Sequence, residues 1–158
     1  MDPIKFRKEL GHFVTGVTVV TIPKSDDSFH GVTVNAICSL SLSPPMLLVC
    51  LDNNTYSCQF LRKDGLFAVN ILSKHQEELA FHFANMKPAE KIMVDDAIET
   101  GYEGIPVLKE SLANLACRVS DSYSCGDHTI FIGQVLDLQV KESKKPLVFY
   151  KGQFTTTD

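Results

Sequence analysis

Short apolar runs separated by polar, turn-forming residues recur over much of this chain, and that pattern predicts strands. Val, Ile and Thr enrich the runs 17–22, 31–36, 66–72, 113–120, 129–140 and 147–150. The run 46–51 is continuously apolar, so it is expected to be buried on both faces. Three stretches break this pattern with helical spacing. The first covers 3–13, with Phe6, Leu10 and Phe13 on one face, Asp2 as its cap and Pro3 in its first turn. The second covers 55–63, capped by Thr55, with Arg62 and Lys63 at its negative end and Gly65 as its stop. The third covers 74–86, opened by a capping box of Ser73 and Gln76, striped by Leu79, Ala80 and Phe83, and ended by Pro88. Residues 95–109, punctuated by Gly101, Gly104 and Pro106, read as a long irregular connection.

So many strands in 158 residues imply a barrel or sandwich in one domain. No G-x-G-x-x-G follows a strand and no P-loop is present, so a nucleotide cofactor would not be held by a Rossmann fold. Composition narrows the function classes further. A net charge of −4 argues against sequence-independent nucleic-acid binding. No apolar run approaches the roughly 18 residues of a membrane helix. The cysteines are odd in number, at 38, 50, 58, 117 and 125, with no C-x-x-C pair, and no signal peptide is read at Met1. Free thiols in a reducing cytoplasm are the expectation. Cys38, Cys50 and Cys117 sit among apolar residues and are expected in the core, whereas His12, His30, His75 and His82 are expected on the surface.

Three segments could carry chemistry. Residues 33–43 alternate small or hydroxyl residues with apolar ones and end at Pro44 and Pro45. Such a segment offers backbone N–H groups and hydroxyls with little bulk above them, which suits a planar polar heterocycle; an ordinary strand and turn reads equally well. Residues 52–57 follow a buried strand and open the second helix, where hydroxyls and free amides suit a phosphate; a capped helix without a ligand is the alternative. Lys87 is a candidate for neutralising that phosphate. Gly126 and Asp127 form a turn that presents His128 at the start of a strand, either for a second ligand or simply hydrogen-bonded in its turn. Cys125 with His128 could instead begin a metal site, with Cys117 and His12 as additions, or a Cys–His nucleophile; no motif joins them into either, so no metal is assigned.

The ordered set of these segments resembles the flavin reductase family with an FMN-binding split barrel, the small reductase components of two-component flavin monooxygenases. Its markers are residues 16–19, 31–36, Ser39, Leu40, Ser41, Pro44, Pro45, 69–71, Phe83, Ala84, 126–129, Gly133, Phe149, Tyr150 and Gly152. The resemblance covers nearly the whole chain. It implies that 1–158 is one flavin reductase-like domain, mainly β, a six-stranded antiparallel split β-barrel with a few short helices. It further implies a homodimer with a flavin near the dimer interface. Thr33, Val34, Asn35, Ala36, Ser39 and Ser41 would face the ring and ribityl chain, and Cys50, Leu51 and Asp52 would add backbone contacts. Thr55 and Ser57 would hold the phosphate, flanked by Phe83 and Ala84. His128 and Tyr150 would place the nicotinamide, His128 being the one catalytic assignment.

The activity implied is hydride transfer from NADH or NADPH to FMN, or to FAD, with reduced flavin passed to an oxygenase partner or another acceptor. A flavin-binding electron-transfer module without its own NAD(P)H oxidation is the alternative. Two features depart from the family pattern: Asn85, Met86 and Lys87 follow Ala84 where many relatives carry Gly and often a basic residue, and Cys125 precedes the Gly-Asp turn.

Overall fold

The β-branched runs do form strands. The computed structural model describes residues 1–26, 28–61, 63–84, 94–141 and 143–157. Its strands are β1 (Thr15–Gly16), β2 (Thr18–Pro23), β3 (Phe29–Val34), β4 (Ile37–Leu42), β5 (Pro45–Asp52), β6 (Leu66–Ile71), β7 (Ile98–Thr100), β8 (Pro106–Leu108), β9 (Ala113–Cys125), β10 (His128–Val140), β11 (Leu147–Tyr150) and β12 (Gln153–Thr156). The helices are α1 (Pro3–Leu10), α2 (Tyr56–Phe60) and α3 (Glu77–Ala84).

One sheet of seven strands dominates, in the order β3-β2-β6-β9-β10-β5-β4, with every neighbouring pair antiparallel. The expected count of six is therefore not what the sheet has. Its two edge strands, β3 and β4, are consecutive in sequence and separated only by Asn35 and Ala36. The sheet must curl to allow this, and β3 comes into contact with β5. No ladder joins β3 to β4, so the barrel is not closed among the described residues. A three-stranded sheet, β1-β11-β12, and the β7-β8 hairpin complete the β structure.

The curl encloses a core of Val20, Ile22, Val32, Val34, Leu47, Val49, Leu51, Leu61, Phe67, Val69, Cys117, Val119 and Phe131. A second cluster joins Val17, Val19, Leu72, Ala80, Phe83, Leu108 and Leu147, sealing α3 against the outside of β2. Alternate residues of β2 thus serve two cores, and this strand is buried on both faces, as β6 is over residues 67–70. The apolar run in β5 is not: Leu47, Val49 and Leu51 are buried, while Met46, Leu48 and Cys50 face outward and stay half-exposed.

Tertiary packing also trims the helices. In α1, Asp2 caps the Ile4 N–H at 3.0 Å, yet the helix ends at Leu10 and buries no residue, so its apolar stripe faces outward. α2 stops at Phe60 because Leu61 takes an extended conformation to enter the main core. Of the third predicted helix, residues 74–76 form a 3-10 turn before α3, and Gln76 Oε1 accepts the Ser73 N–H at 3.0 Å. The expected irregular connection contains the β7-β8 hairpin. Cys117 is buried, and burial pushes its thiol up to about 12; Cys38 is exposed and Cys50 half-buried, so neither is a core cysteine. His30 is not a surface histidine either: its ring lies 4.4 Å from Phe60 and 6.0 Å from Tyr56, between centroids. Arg62 and Lys87, with residues 85–93 as a whole, lie outside the described residues. No helix among the described residues is long and apolar enough to cross a membrane.

Candidate functional site

The register of β10 against β5 brings two of the three sequence segments together. His128 pairs with Asp52, and the turn before it abuts the loop from β5 to α2. Asn53 joins the two. Its backbone N–H donates to the Asp127 carbonyl at 3.0 Å, and its side-chain Oδ1 accepts the Thr129 hydroxyl at 2.7 Å. Its Nδ2 lies 3.5 Å from the Gly126 carbonyl. Gly126 holds φ at +64°, a conformation that costs a residue without Cβ little.

The loop itself is internally braced. Asp52 Oδ1 accepts the Asn54 N–H at 2.8 Å, an Asx turn. The Thr55 hydroxyl donates to the Asp52 carbonyl at 2.7 Å and accepts the Cys58 N–H at 3.1 Å, capping α2. Thr55 therefore has its proton committed. Ser57 differs: it is 1% exposed, and its hydroxyl has no hydrogen-bond partner among the described residues. A buried polar group in that state costs free energy that a ligand oxygen would recover.

The third segment reaches the same end of the sheet. The Ala36 carbonyl accepts the Cys50 N–H at 3.0 Å, fastening the link between β3 and β4 to β5 two residues from Asp52. Among the described residues β3 pairs only with β2, and β4 only with β5, so two strand edges converge at Asn35 and Ala36. The individual side chains divide. The Thr33 hydroxyl donates to the Ala80 carbonyl of α3 at 2.7 Å, and Val34 and Leu51 point into the core, so the latter two can offer a ligand only their backbone. Asn35, Ala36 and Ser39 are exposed and Ser41 is half-buried; Asn35 Nδ2 donates to the Thr15 hydroxyl at 3.3 Å. Phe83 is buried against Gly31 while Ala84 is exposed.

His128 is held by its neighbour. Its Nδ1 lies 2.7 Å from Asp127 Oδ1, and since a carboxylate only accepts, Nδ1 carries the proton. The bond from His128 holds the Asp127 carboxyl below the usual range. Nε2 is left without a partner among the described residues, on a side chain 45% exposed. Cys125 is opposite His128 on β9. The Cys50 thiol is pushed up, first by burial and then by Cys125. No group of three or more metal-ligating side chains gathers among the described residues. Tyr150 stands apart, exposed on β11 with Lys151 over its ring at 5.2 Å, and no bond joins it to His128.

Asn53 is the residue that the sequence reading fails to single out. Its type and place, within a polar run ending a strand, are visible in one dimension. That a turn more than seventy residues later lies against it follows only from the β5–β10 pairing.

Comparison with known proteins supplies the family. The profile of the family described as "Flavin reductase like domain" matches residues 10–158. An "NADH-dependent flavin reductase" of a Rhodococcus species is 37% identical over 160 residues, spanning 100% of this chain and 88% of its own. The reductase component of "4-nitrophenol 4-monooxygenase/4-nitrocatechol 2-monooxygenase" from Rhodococcus opacus is 39% identical over 154 residues, spanning 98% and 80%. Among solved structures, the NADH:FAD oxidoreductase SgcE6 of Streptomyces globisporus C-1027, in complex with NAD and FAD fragments, superposes with a TM-score of 0.91. It is 35% identical, and the match covers 99% of this chain and 93% of that one. Fold, site geometry and sequence agree that this chain belongs to the flavin reductase like domain family.

Proposed function

We propose that this protein is an NADH-dependent flavin reductase that supplies reduced flavin to an oxygenase component. The carrying observation is the convergence at one end of the sheet: the two strand edges at Asn35 and Ala36, the unpartnered Ser57 hydroxyl, and His128 opposite Asp52. The residues present fit a flavin. Backbone N–H groups at the β3–β4 link suit the polar edge of the ring, and Ser57 suits a phosphate oxygen, with Thr55 bracing the loop beneath it. Phe83 and Ala84 flank that phosphate end, and Lys87 is its proposed counter-charge. When bound, the flavin supplies the two-electron chemistry, accepting hydride from the nicotinamide. The chain's own residues bind, orient and exclude water. His128, oriented by Asp127, presents Nε2 to the nicotinamide; for Tyr150, which stands apart on β11, the family resemblance alone supports a nicotinamide contact.

The same reading assigns residues 1–158 to a single domain, the curled sheet serving as the family's split barrel, in a cytoplasmic homodimer. The half-exposed Met46, Leu48, Cys50, Ile130 and Ile132 form a continuous apolar strip on the outer face of β5 and β10, the kind of surface that a second copy covers.

The test is NADH oxidation by the purified protein with FAD, with FMN and with neither. Flavin-dependent turnover is expected. A protein that binds flavin but leaves it oxidised under anaerobic NADH would instead be an electron-transfer module fed by another protein.

A further inference from the structure

We infer that Asn53 is a positioning residue for the nicotinamide side of the site, acting through Thr129 and the 126–129 turn; the inference rests on the reductase reading above. Asn53 touches three parts of that turn: the Gly126 carbonyl, the Asp127 carbonyl and the Thr129 hydroxyl. His128 lies inside this bracket and makes no bond to Asn53. Among the described residues its side chain has only Asp127 as a partner, whose carbonyl the Asn53 N–H holds and whose carboxylate is 86% exposed. An exposed Asp–His pair sets the ring's tautomer but not its place in space. Its place is set by the backbone on either side, and Asn53 pins both sides.

The loop that carries Asn53 does not depend on the side-chain bond. The Asp52–Asn54 turn and the Thr55 cap hold it from within. Removing the Asn53 carboxamide therefore loosens the turn at Gly126 and Thr129, with the backbone bond to Asp127 retained, and costs the loop itself only the 3.8 Å contact from the Cys58 thiol. Thr129 is 9% exposed, and its hydroxyl proton goes to Asn53; the next polar group, Ser124 Oγ, is 3.5 Å away. The pair Asn53–Thr129 is thus a single latch between the loop that would hold the flavin phosphate and the histidine that would meet the nicotinamide.

The experiment compares Asn53→Ala, Thr129→Val, Thr129→Ser and the Asn53→Ala/Thr129→Val double variant. Loss of one such bond corresponds to about a fivefold effect. The expected result is an NADH KM raised about fivefold in both single variants, with the flavin Kd, from fluorescence titration of the protein with FAD, within about twofold of wild type. Thr129→Ser retains wild-type values, and the double variant is no worse than either single one, since both remove the same latch. The His128 ring resonances, followed by NMR without NADH, shift in Asn53→Ala and Thr129→Val but not in Thr129→Ser. Unmoved ring resonances together with an unchanged NADH KM overturn the inference. So does a parallel loss of flavin affinity, which would place Asn53 in the cradle. If Asn53→Ala does not fold, Thr129→Val and Thr129→Ser decide alone. If the wild-type protein shows no NADH turnover with FAD or FMN, the reductase reading fails, and the ring resonances still score the latch.

Discussion

Asn70 and Asn114 face each other across β6 and β9, with Asn114 Nδ2 donating to Asn70 Oδ1 at 2.7 Å in a site where both residues are under 5% exposed. Asn70 Oδ1 also accepts the Leu108 N–H at 2.8 Å, and its Nδ2 donates to the Val19 carbonyl at 2.9 Å and to the Thr21 hydroxyl at 3.1 Å. Thr21 in turn donates to the Pro106 carbonyl. One carboxamide therefore ties β2, β6, β8 and β9 together. Replacing it with Leu strands the Leu108 N–H and takes one bond each from the Val19 carbonyl, the Thr21 hydroxyl and the Asn114 amide, though Thr21 keeps the Pro106 carbonyl and Asn114 the Leu108 carbonyl; a stranded buried group costs roughly 1–3 kcal/mol. Asn70→Leu is expected to lower the unfolding free energy by about 3 kcal/mol or more in urea denaturation. Asn114→Ala should cost less, because Asn70 Oδ1 keeps its bond to Leu108.

Gly31 and Phe83 hold a second tight relationship. A Cβ on Gly31 would sit 2.4 Å from Phe83 Cδ1 and Cε1, closer than any real contact. The ring cannot swing far, since it is buried in the cluster under α3. Gly31→Ala therefore displaces α3, and overpacking of this kind costs about 1–3 kcal/mol. A lower thermal midpoint and weaker flavin binding are expected together, because Phe83 and Ala84 lie on the element proposed to flank the phosphate. Gly31→Ala combined with Phe83→Leu should recover most of the lost stability. Equal melting of wild type and Gly31→Ala would mean that the ring is not held as described.

The strand runs were legible because Val, Ile and Thr concentrate in them, and β11 coincides with the run 147–150. Helix ends were less so: nothing local in the sequence says that Leu61 leaves α2 for the core. The double burial of β2 rather than β5 depends on which strand lies beneath α3, a long-range fact. β4 was legible as a polar, hydroxyl-rich segment but not as an edge strand, and the β7-β8 hairpin was hidden by Gly101, Gly104 and Pro106. At the site, the three segments were each visible; their meeting was not. It is produced by the pairing of β5 with β10, and Asn53, which exploits that pairing, has no motif of its own.

Ser57 yields a prediction of opposite sign for two measurements. Its hydroxyl is buried with no partner, so in the flavin-free protein Ser57→Ala removes a group that contributes only desolvation cost. The apo thermal midpoint is expected to stay level or rise. If the hydroxyl donates to a flavin phosphate, the same substitution weakens flavin binding by roughly tenfold, as loss of a hydrogen bond to a charged group does. Calorimetry of the apo protein and titration with FAD measure the two effects separately. Lower apo stability with unchanged affinity would make Ser57 a structural residue whose partner forms only in solution.

His30 links stability to pH. Burial between Tyr56 and Phe60 is the main reason its pKa falls below the ordinary 6.5; Lys24 lowers it further, and Asp26 acts against both. Nε2 is buried without a partner among the described residues, so the neutral ring is the one the fold accepts. In the unfolded chain the imidazole takes up a proton as pH drops through 6.5. The folded chain binds that proton only at lower pH, so the unfolded state holds more protons in the interval between, and stability falls with acid there. Below the folded value both states are protonated and the loss is complete. Denaturation of the wild type between pH 8 and about pH 5 should show this decline beginning near the ordinary histidine range. His30→Phe keeps an aromatic ring between Tyr56 and Phe60 and removes the titration. Its stability is expected to vary less over the same interval, with the gap to wild type widest at the acid end. A variant that retains the full acid-linked decline would show that His30 is not its source.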